Sequence, residues 1–254
     1  MRLGAQLYSV RKKMQTKEDA EETFARLKEI GYETVQLSGA ADFEPEFIAE
    51  LARRYGFDIA LTHVSFDKIV NETEKVIEAH KVFGCPVIGL GAMPKDYRKT
   101  KAGLEEFFAV IAPAVEKIEA AGLKFAYHNH AFEFAPLEDT DGEIAYDIML
   151  ERQKNWYFIM DTYWVEFGGR DACDYIRRIG GDRLPNIHFK DMAKNEERSI
   201  CACGDGVLDF EKIFEVCREV GVKSVFVEQD NASELGDCYE QMERSFKHLR
   251  PIIK

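Results

Sequence analysis

Short runs of β-branched and aromatic residues alternate with longer stretches in which apolar positions recur every three to four residues. The short runs predict strands at 2–9 (RLGAQLYS), 34–39 (TVQLSG), 58–65 (DIALTHVS), 85–92 (CPVIGLGA), 124–130 (KFAYHNH), 156–162 (WYFIMDT), 186–192 (NIHFKDM) and 224–230 (SVFVEQD). The longer stretches predict helices at 17–31, 44–56, 70–84, 103–122, 171–181 and 208–221. Glycines 31, 56, 84, 122 and 221 stand where a helix must stop before the next strand. Repeated helix–Gly–strand units give parallel sheets. The first strand is not followed by a G-x-G-x-x-G turn, which weighs against a dinucleotide fold. Eight such strands in 254 residues, with no linker or low-complexity break, predict α/β architecture: a single (β/α)8 TIM barrel over residues 1–254.

Composition narrows the partners. The chain is 46% hydrophobic, enough for a substantial core, and carries 46 acidic against 34 basic residues for a net charge of −12. An acidic surface repels phosphate backbones, so nucleic acid is not an expected partner. No apolar run approaches the roughly 20 residues needed to cross a bilayer, and MRLGAQLYSV lacks the apolar core of a signal peptide. The expectation is a cytoplasmic protein that does not engage membranes. Cys85, Cys173, Cys201, Cys203, Cys217 and Cys238 are scattered and read as reduced thiols. The Cys201–Cys203 pair lacks zinc-site spacing.

The segment YHNHAFEF (127–134) sets His128, His130 and Glu133 in an otherwise apolar run, where such groups are costly to bury unpartnered. In a TIM barrel, chemistry sits at the C-terminal strand ends. There the fifth strand delivers His128 and His130, the sixth Asp161, the seventh His188 and Lys190, and the eighth Glu228. Because alternate residues face opposite sides, His128 shares a face with Ala126 and His130, Asp161 with Ile159, His188 with Asn186 and Lys190, and Glu228 with Phe226. Taken singly, each group has a plain structural reading as a hydrogen-bonded histidine, a helix cap or an ion-pair partner. Four at equivalent ends of consecutive strands favour a metal site, and imidazole with carboxylate suits a divalent transition metal rather than calcium.

The ordered set YHNHAFEF, MDTYWV, IHFKDM, GDGVLDF and FVEQD resembles the xylose isomerase-like TIM barrel superfamily, in particular its sugar phosphate isomerase/epimerase members, related to ketose 3-epimerases and inosose dehydratases. The resemblance runs from GAQLYSV to the last strand. It implies one divalent ion, manganese first, with zinc, cobalt, iron or magnesium as alternatives. Asp161, His188 and Glu228 match three of the family's four ligands. Relatives often place glutamate before Asn-His on the fifth strand, whereas this chain has His128 there. Glu133 is then the expected first ligand and His128 its substitute. The resemblance also implies that His63, His130, Gln6, Trp164 and Lys190 contact substrate, with Tyr8 and Gln36 at the same mouth. Gln6 and Gln36 have a plain alternative in hydrogen bonds within the barrel, Trp164 in core packing. Lys190 and Asp191 are placed to hold a substrate hydroxyl. The GDGVLDF segment reads as a structural loop with Asp209 as a helix cap, and His80 and His248 as surface residues.

The implied activity is isomerisation or epimerisation of a ketose or keto-sugar through an enediolate, with Glu133 and Glu228 exchanging protons and His128 assisting. The alternative is a dehydratase or lyase acting on a 3-keto sugar or inosose after the same proton abstraction. Endonuclease IV shares the fold, but its zinc cluster needs more ligands than six histidines comfortably provide, and the negative charge opposes DNA. A non-catalytic sugar-binding barrel would need the metal site absent or occluded. CACGDG is a faint phosphate loop and no arginine cluster accompanies it, so the expected substrate is an unphosphorylated sugar or polyol. A homo-oligomer is expected from relatives alone.

Overall fold

The computed structural model describes residues 1–253. Among them, eight parallel strands close into a barrel in chain order: Arg2–Gln6, Thr34–Leu37, Asp58–Val64, Val87–Leu90, Lys124–His128, Tyr157–Asp161, Asn186–Phe189 and Ser224–Val227. The last pairs back onto the first, with Gly4 opposite Phe226. Helices surround this sheet, the longest being Lys101–Ala120 and Cys238–Ile252. This is the (β/α)8 architecture that the alternating pattern predicts. No described helix is long and apolar enough to cross a membrane.

Every predicted strand is present but ends early, because the ladder yields to the loops that form the mouth. After Gln6, for example, the chain turns into a 3-10 helix, Leu7–Lys13, whose first N–H groups are partly satisfied by the Gln6 side chain accepting from Tyr8 N. The predicted helix at 70–84 is two helices, Phe66–Asn71 and Thr73–Val82, parted at Glu72. The five glycines read as helix stops all have positive φ, the left-handed geometry that closes a helix.

Strand alternation builds the interior in layers. Leu61, Val87, Ala126, Ile159 and Phe226 form an apolar plug on the barrel axis. Two residues further along the same strands stand His63, Gly89, His128, Asp161 and Glu228. One parity thus supplies a dry floor and then a polar ring above it. The opposite parity packs beneath the helices: Trp156 lies edge-on to Phe125 at 4.9 Å and to Phe107 at 6.0 Å between ring centroids. Each such buried aromatic contributes about 2–3 kcal/mol by removing apolar area from water.

His80 departs from its expected surface position. It is 2% exposed, with Nε2 2.8 Å from Thr62 Oγ1 and Nδ1 2.7 Å from Val76 O. It follows Val76 and Ile77 on the face of its helix that meets the sheet, so helical periodicity carries it inward. Burial pushes its pKa down to about 4. His248 is exposed, as expected.

Gly89 marks the tightest place in the wall. A Cβ there would collide with the Thr62 carbonyl oxygen and lie 2.8 Å from Ile159 Cδ1. Gly89→Ala is expected to lower stability by about 1–3 kcal/mol, read as a lower urea midpoint at unchanged slope. An unchanged midpoint would show that the wall yields at that point.

Candidate metal centre

Four side chains converge above the apolar plug. One ligand atom each from His128, Asp161, His188 and Glu228 lies within 4.8 Å of the others, and all four residues are buried. His128 Nε2 is 3.6 Å from Asp161 Oδ2 and 3.9 Å from Glu228 Oε2. His188 Nδ1 is 3.9 Å from Asp161 Oδ2 and 2.8 Å from Glu228 Oε2. Despite that short separation, the geometry is not that of a hydrogen bond, and all four atoms lack a hydrogen-bond partner. An unpartnered buried acceptor costs roughly 1–3 kcal/mol.

The supporting groups explain why lone pairs, not protons, point inward. His128 Nδ1 lies 3.0 Å from the Gly91 carbonyl oxygen, which can only accept, so the proton sits on Nδ1 and Nε2 presents its lone pair. His188 Nε2 lies 2.6 Å from Gln36 Oε1, which leaves Nδ1 unprotonated. The same Gln36 oxygen accepts from Asn186 Nδ2 at 3.2 Å. Asp161 Oδ1 caps the helix Thr162–Phe167 by accepting from Trp164 N at 3.0 Å, which turns Oδ2 to the axis. Asn129 Oδ1 accepts from Asp161 N at 3.0 Å and fixes that strand end. Partners of this kind orient metal ligands and set their tautomers. Two imidazole nitrogens and two carboxylate oxygens, all electron-rich and facing one another, fit a single divalent cation such as zinc or manganese.

Burial dominates the electrostatics. It pushes His128 down to about 3, with the neighbouring His188 adding to the effect, so His128 is a neutral imidazole. It raises Asp161 to about 7, with the adjacent Glu228 carboxylate contributing. Burial acts on Glu228 in the same direction, but the Lys190 ammonium opposes it, and this carboxylate is held well below its ordinary range.

Glu133 is a correction. It is fully buried, yet away from the axis. Its Oε1 accepts from Tyr127 OH at 2.6 Å and its Oε2 from His130 N at 2.8 Å. Tyr127 has the parity opposite to His128, and the short 3-10 turn Phe132–Phe134 folds Glu133 back toward it. The structure therefore gathers His128, not Glu133, with Asp161, His188 and Glu228. Burial raises Glu133 to about 8.

The remaining predicted groups surround the centre. The His63 ring is 4.8 Å from His128 and 5.5 Å from His188, with Nδ1 3.3 Å from Gln6 Nε2. His130 is 4.9 Å from His128 and 5.3 Å from Trp164 between ring centroids. His63 Nε2, His130 Nδ1 and Trp164 Nε1 are buried without partners. Lys190 Nζ bonds Asp230 Oδ2 at 2.8 Å. Asp191 is occupied elsewhere: its carboxylate accepts from the backbone N–H of Met192, Gly204, Gly206 and Leu208 at 2.8–3.1 Å. The GDG segment is thereby folded onto Asp191, and Asp209 caps the following helix through Lys212 N. Sequence reasoning missed Asp230, although its place two residues beyond Glu228 puts it on the same face, and it missed the support given by Gly91 and Asn129.

The family described as xylose isomerase-like TIM barrel matches residues 24–252. An inosose dehydratase of Clostridium beijerinckii is 23% identical over 167 residues, 58% of this chain and about half, 55%, of that protein. A sugar phosphate isomerase/epimerase from Parabacteroides distasonis superposes with a TM-score of 0.82 at 22% identity, covering 100% of both chains. The IolI protein, solved with a bound zinc atom, superposes with a TM-score of 0.78 at 14% identity, covering 100% of this chain and 98% of that one.

Two outcomes follow from this geometry. Gln36→Leu removes the acceptor that sets the His188 tautomer and is expected to weaken metal affinity by about 10–100-fold, measured against a chelator with the circular dichroism spectrum unchanged. Glu133, an acid whose pKa rises on folding to about 8, makes the protein lose stability as pH climbs from the ordinary carboxylate range through 8, because the unfolded chain ionises first. Glu133→Gln should flatten that decline. A decline of equal steepness in the variant would assign it to another group.

Proposed function

The chain belongs to the xylose isomerase-like TIM barrel family, and on that premise we propose that it is a divalent-metal-dependent enzyme removing the proton beside the carbonyl of an uncharged ketose or keto-sugar, with isomerisation or epimerisation as the outcome. The observation that carries this reading is the convergence of four buried, unpartnered acceptor atoms at the barrel mouth.

His128, Asp161, His188 and Glu228 would hold the cation, which when bound supplies Lewis-acid stabilisation of the charge that develops on the substrate oxygen. With Glu133 turned outward, the proton-transfer groups near the axis are Glu228 and the imidazoles of His63 and His130. Burial keeps both imidazoles neutral, pushing His130 down to about 2 and His63 well below its ordinary value. Each keeps an unpartnered ring nitrogen with which to take a proton or a hydroxyl. Trp164 adds an apolar wall and a free N–H beside His130.

The charge pattern supports an uncharged substrate. Lys190 is held by carboxylates. Arg11 donates to the Tyr8 and Asp230 carbonyls, and Arg98 to Met93 O. The backbone amides of Gly204 and Gly206, which would otherwise suit a phosphate, already serve Asp191.

Elimination of water is a second reading, and the position of Glu133 favours it. Epimerisation needs a proton donor on the face opposite the base, and the second carboxylate expected there lies outside the axis. The curated relative's name, inosose dehydratase, supports the same reading.

The test is deuterium incorporation in heavy water with manganese or zinc, offering free ketoses, 3-keto sugars and inososes. The wild type should place deuterium beside the carbonyl of one class, and NMR of the product separates rearrangement from loss of water. Asp161→Ala should abolish both exchange and metal retention. A wild type that retains no metal and exchanges nothing would point instead to a sugar-binding barrel.

A further inference from the structure

Lys190 lies one residue past the seventh strand, its side chain 1% exposed, with Nζ 2.8 Å from Asp230 Oδ2 and 3.5 Å from both Asp161 Oδ2 and Glu228 Oε2. The last two are the same unpartnered oxygens that face the candidate cation position. Burying an ammonium is costly unless carboxylates surround it.

We propose that Lys190 is a resident counter-cation of the metal centre: it neutralises Asp161 and Glu228 while the metal is away, opposes the metal's entry, and rests on Asp230 once the metal has bound. This rests on the metal reading above and adds a role for Lys190 and Asp230. Two buried carboxylates with no cation between them repel each other. Among the described residues, no other lysine or arginine stands within ion-pair distance of these oxygens. A divalent ion and an ammonium are like charges drawn to the same lone pairs, so each weakens the hold of the other.

Asp230 supplies the resting place. Its contact with Nζ is already of hydrogen-bond length, whereas the two ligand oxygens stand further off. Its backbone carbonyl is pinned by Arg11 Nη1 at 2.7 Å. With metal bound, three carboxylates, one ammonium and one divalent ion sum to zero, which leaves a neutral mouth for a neutral substrate. A lysine that only braced the fold would behave in the opposite way, since its loss would loosen the ligands and weaken the metal.

The experiment strips the full-length protein with a chelator, then measures manganese and zinc affinity by competition with a chelating dye and the melting temperature of stripped and loaded forms. Lys190→Met should bind metal at least about tenfold more tightly, with a lower melting temperature in the stripped form only. Lys190→Gln, which keeps a polar head, should move the same way if the methionine variant does not fold. Asp230→Asn should weaken metal binding in the wild type but have a smaller effect in the Lys190 variant, because the two residues act through one contact. Metal binding equal to or weaker than wild type in both Lys190 variants overturns the proposal and leaves the metal site standing, as does an Asp230→Asn effect of the same size in both backgrounds. A wild type that retains no metal overturns the site and the proposal together.

Discussion

Four lone pairs aimed at one point, out of reach of water, govern the upper half of this barrel. Left alone, two carboxylate oxygens and two unprotonated imidazole nitrogens at 2.8–3.9 Å would repel one another. Their arrangement makes sense around positive charge. The network beneath serves to keep it so: Gln36 and the Gly91 carbonyl hold the imidazole protons outward, and Asn129 and the helix cap at Asp161 hold a carboxylate inward. Such groups do nothing chemical themselves, yet a protonated nitrogen facing the axis would cost the site a ligand.

The barrel makes this convergence affordable by separating layers. The plug of Leu61, Val87, Ala126, Ile159 and Phe226 closes the axis below, so polar groups two residues onward need partners on one side only. The loop after the seventh strand is tied down independently, through four backbone N–H groups on Asp191. That division lets the loops vary while the strand ends stay in register, which fits a family whose relatives carry names as different as dehydratase and isomerase/epimerase.

The legible part of the site lay in regular strands. The periodic strand–helix pattern and the glycine stops pointed to the barrel. A period of two, applied to Ile159–Asp161, Ala126–His128 and Phe226–Glu228, placed the side chains on the axis, because in a strand the next residue on the same face is always two away. Legibility failed where the chain left regular structure. Glu133 is only five residues from His128, but a 3-10 turn intervenes and its direction follows from Tyr127 and His130 N–H rather than from any period. His80 was misplaced because its helix packs a polar residue against Thr62, a pairing that neither segment reveals by itself.

The sequence by itself determined the class of fold, the end of the barrel where chemistry gathers, and the kinds of side chain available there. These follow from local rules: backbone alternation, helix period and the conformational freedom of glycine. Only the tertiary structure decided which of His128 and Glu133 joins Asp161, His188 and Glu228, which nitrogen of each imidazole carries its proton, and that Lys190 shares its oxygens with the candidate metal position. Those outcomes depend on hydrogen bonds between segments as far apart as Gln36 and His188. A contact of that range exists only once the sheet has closed and its first strands stand across the axis from its last.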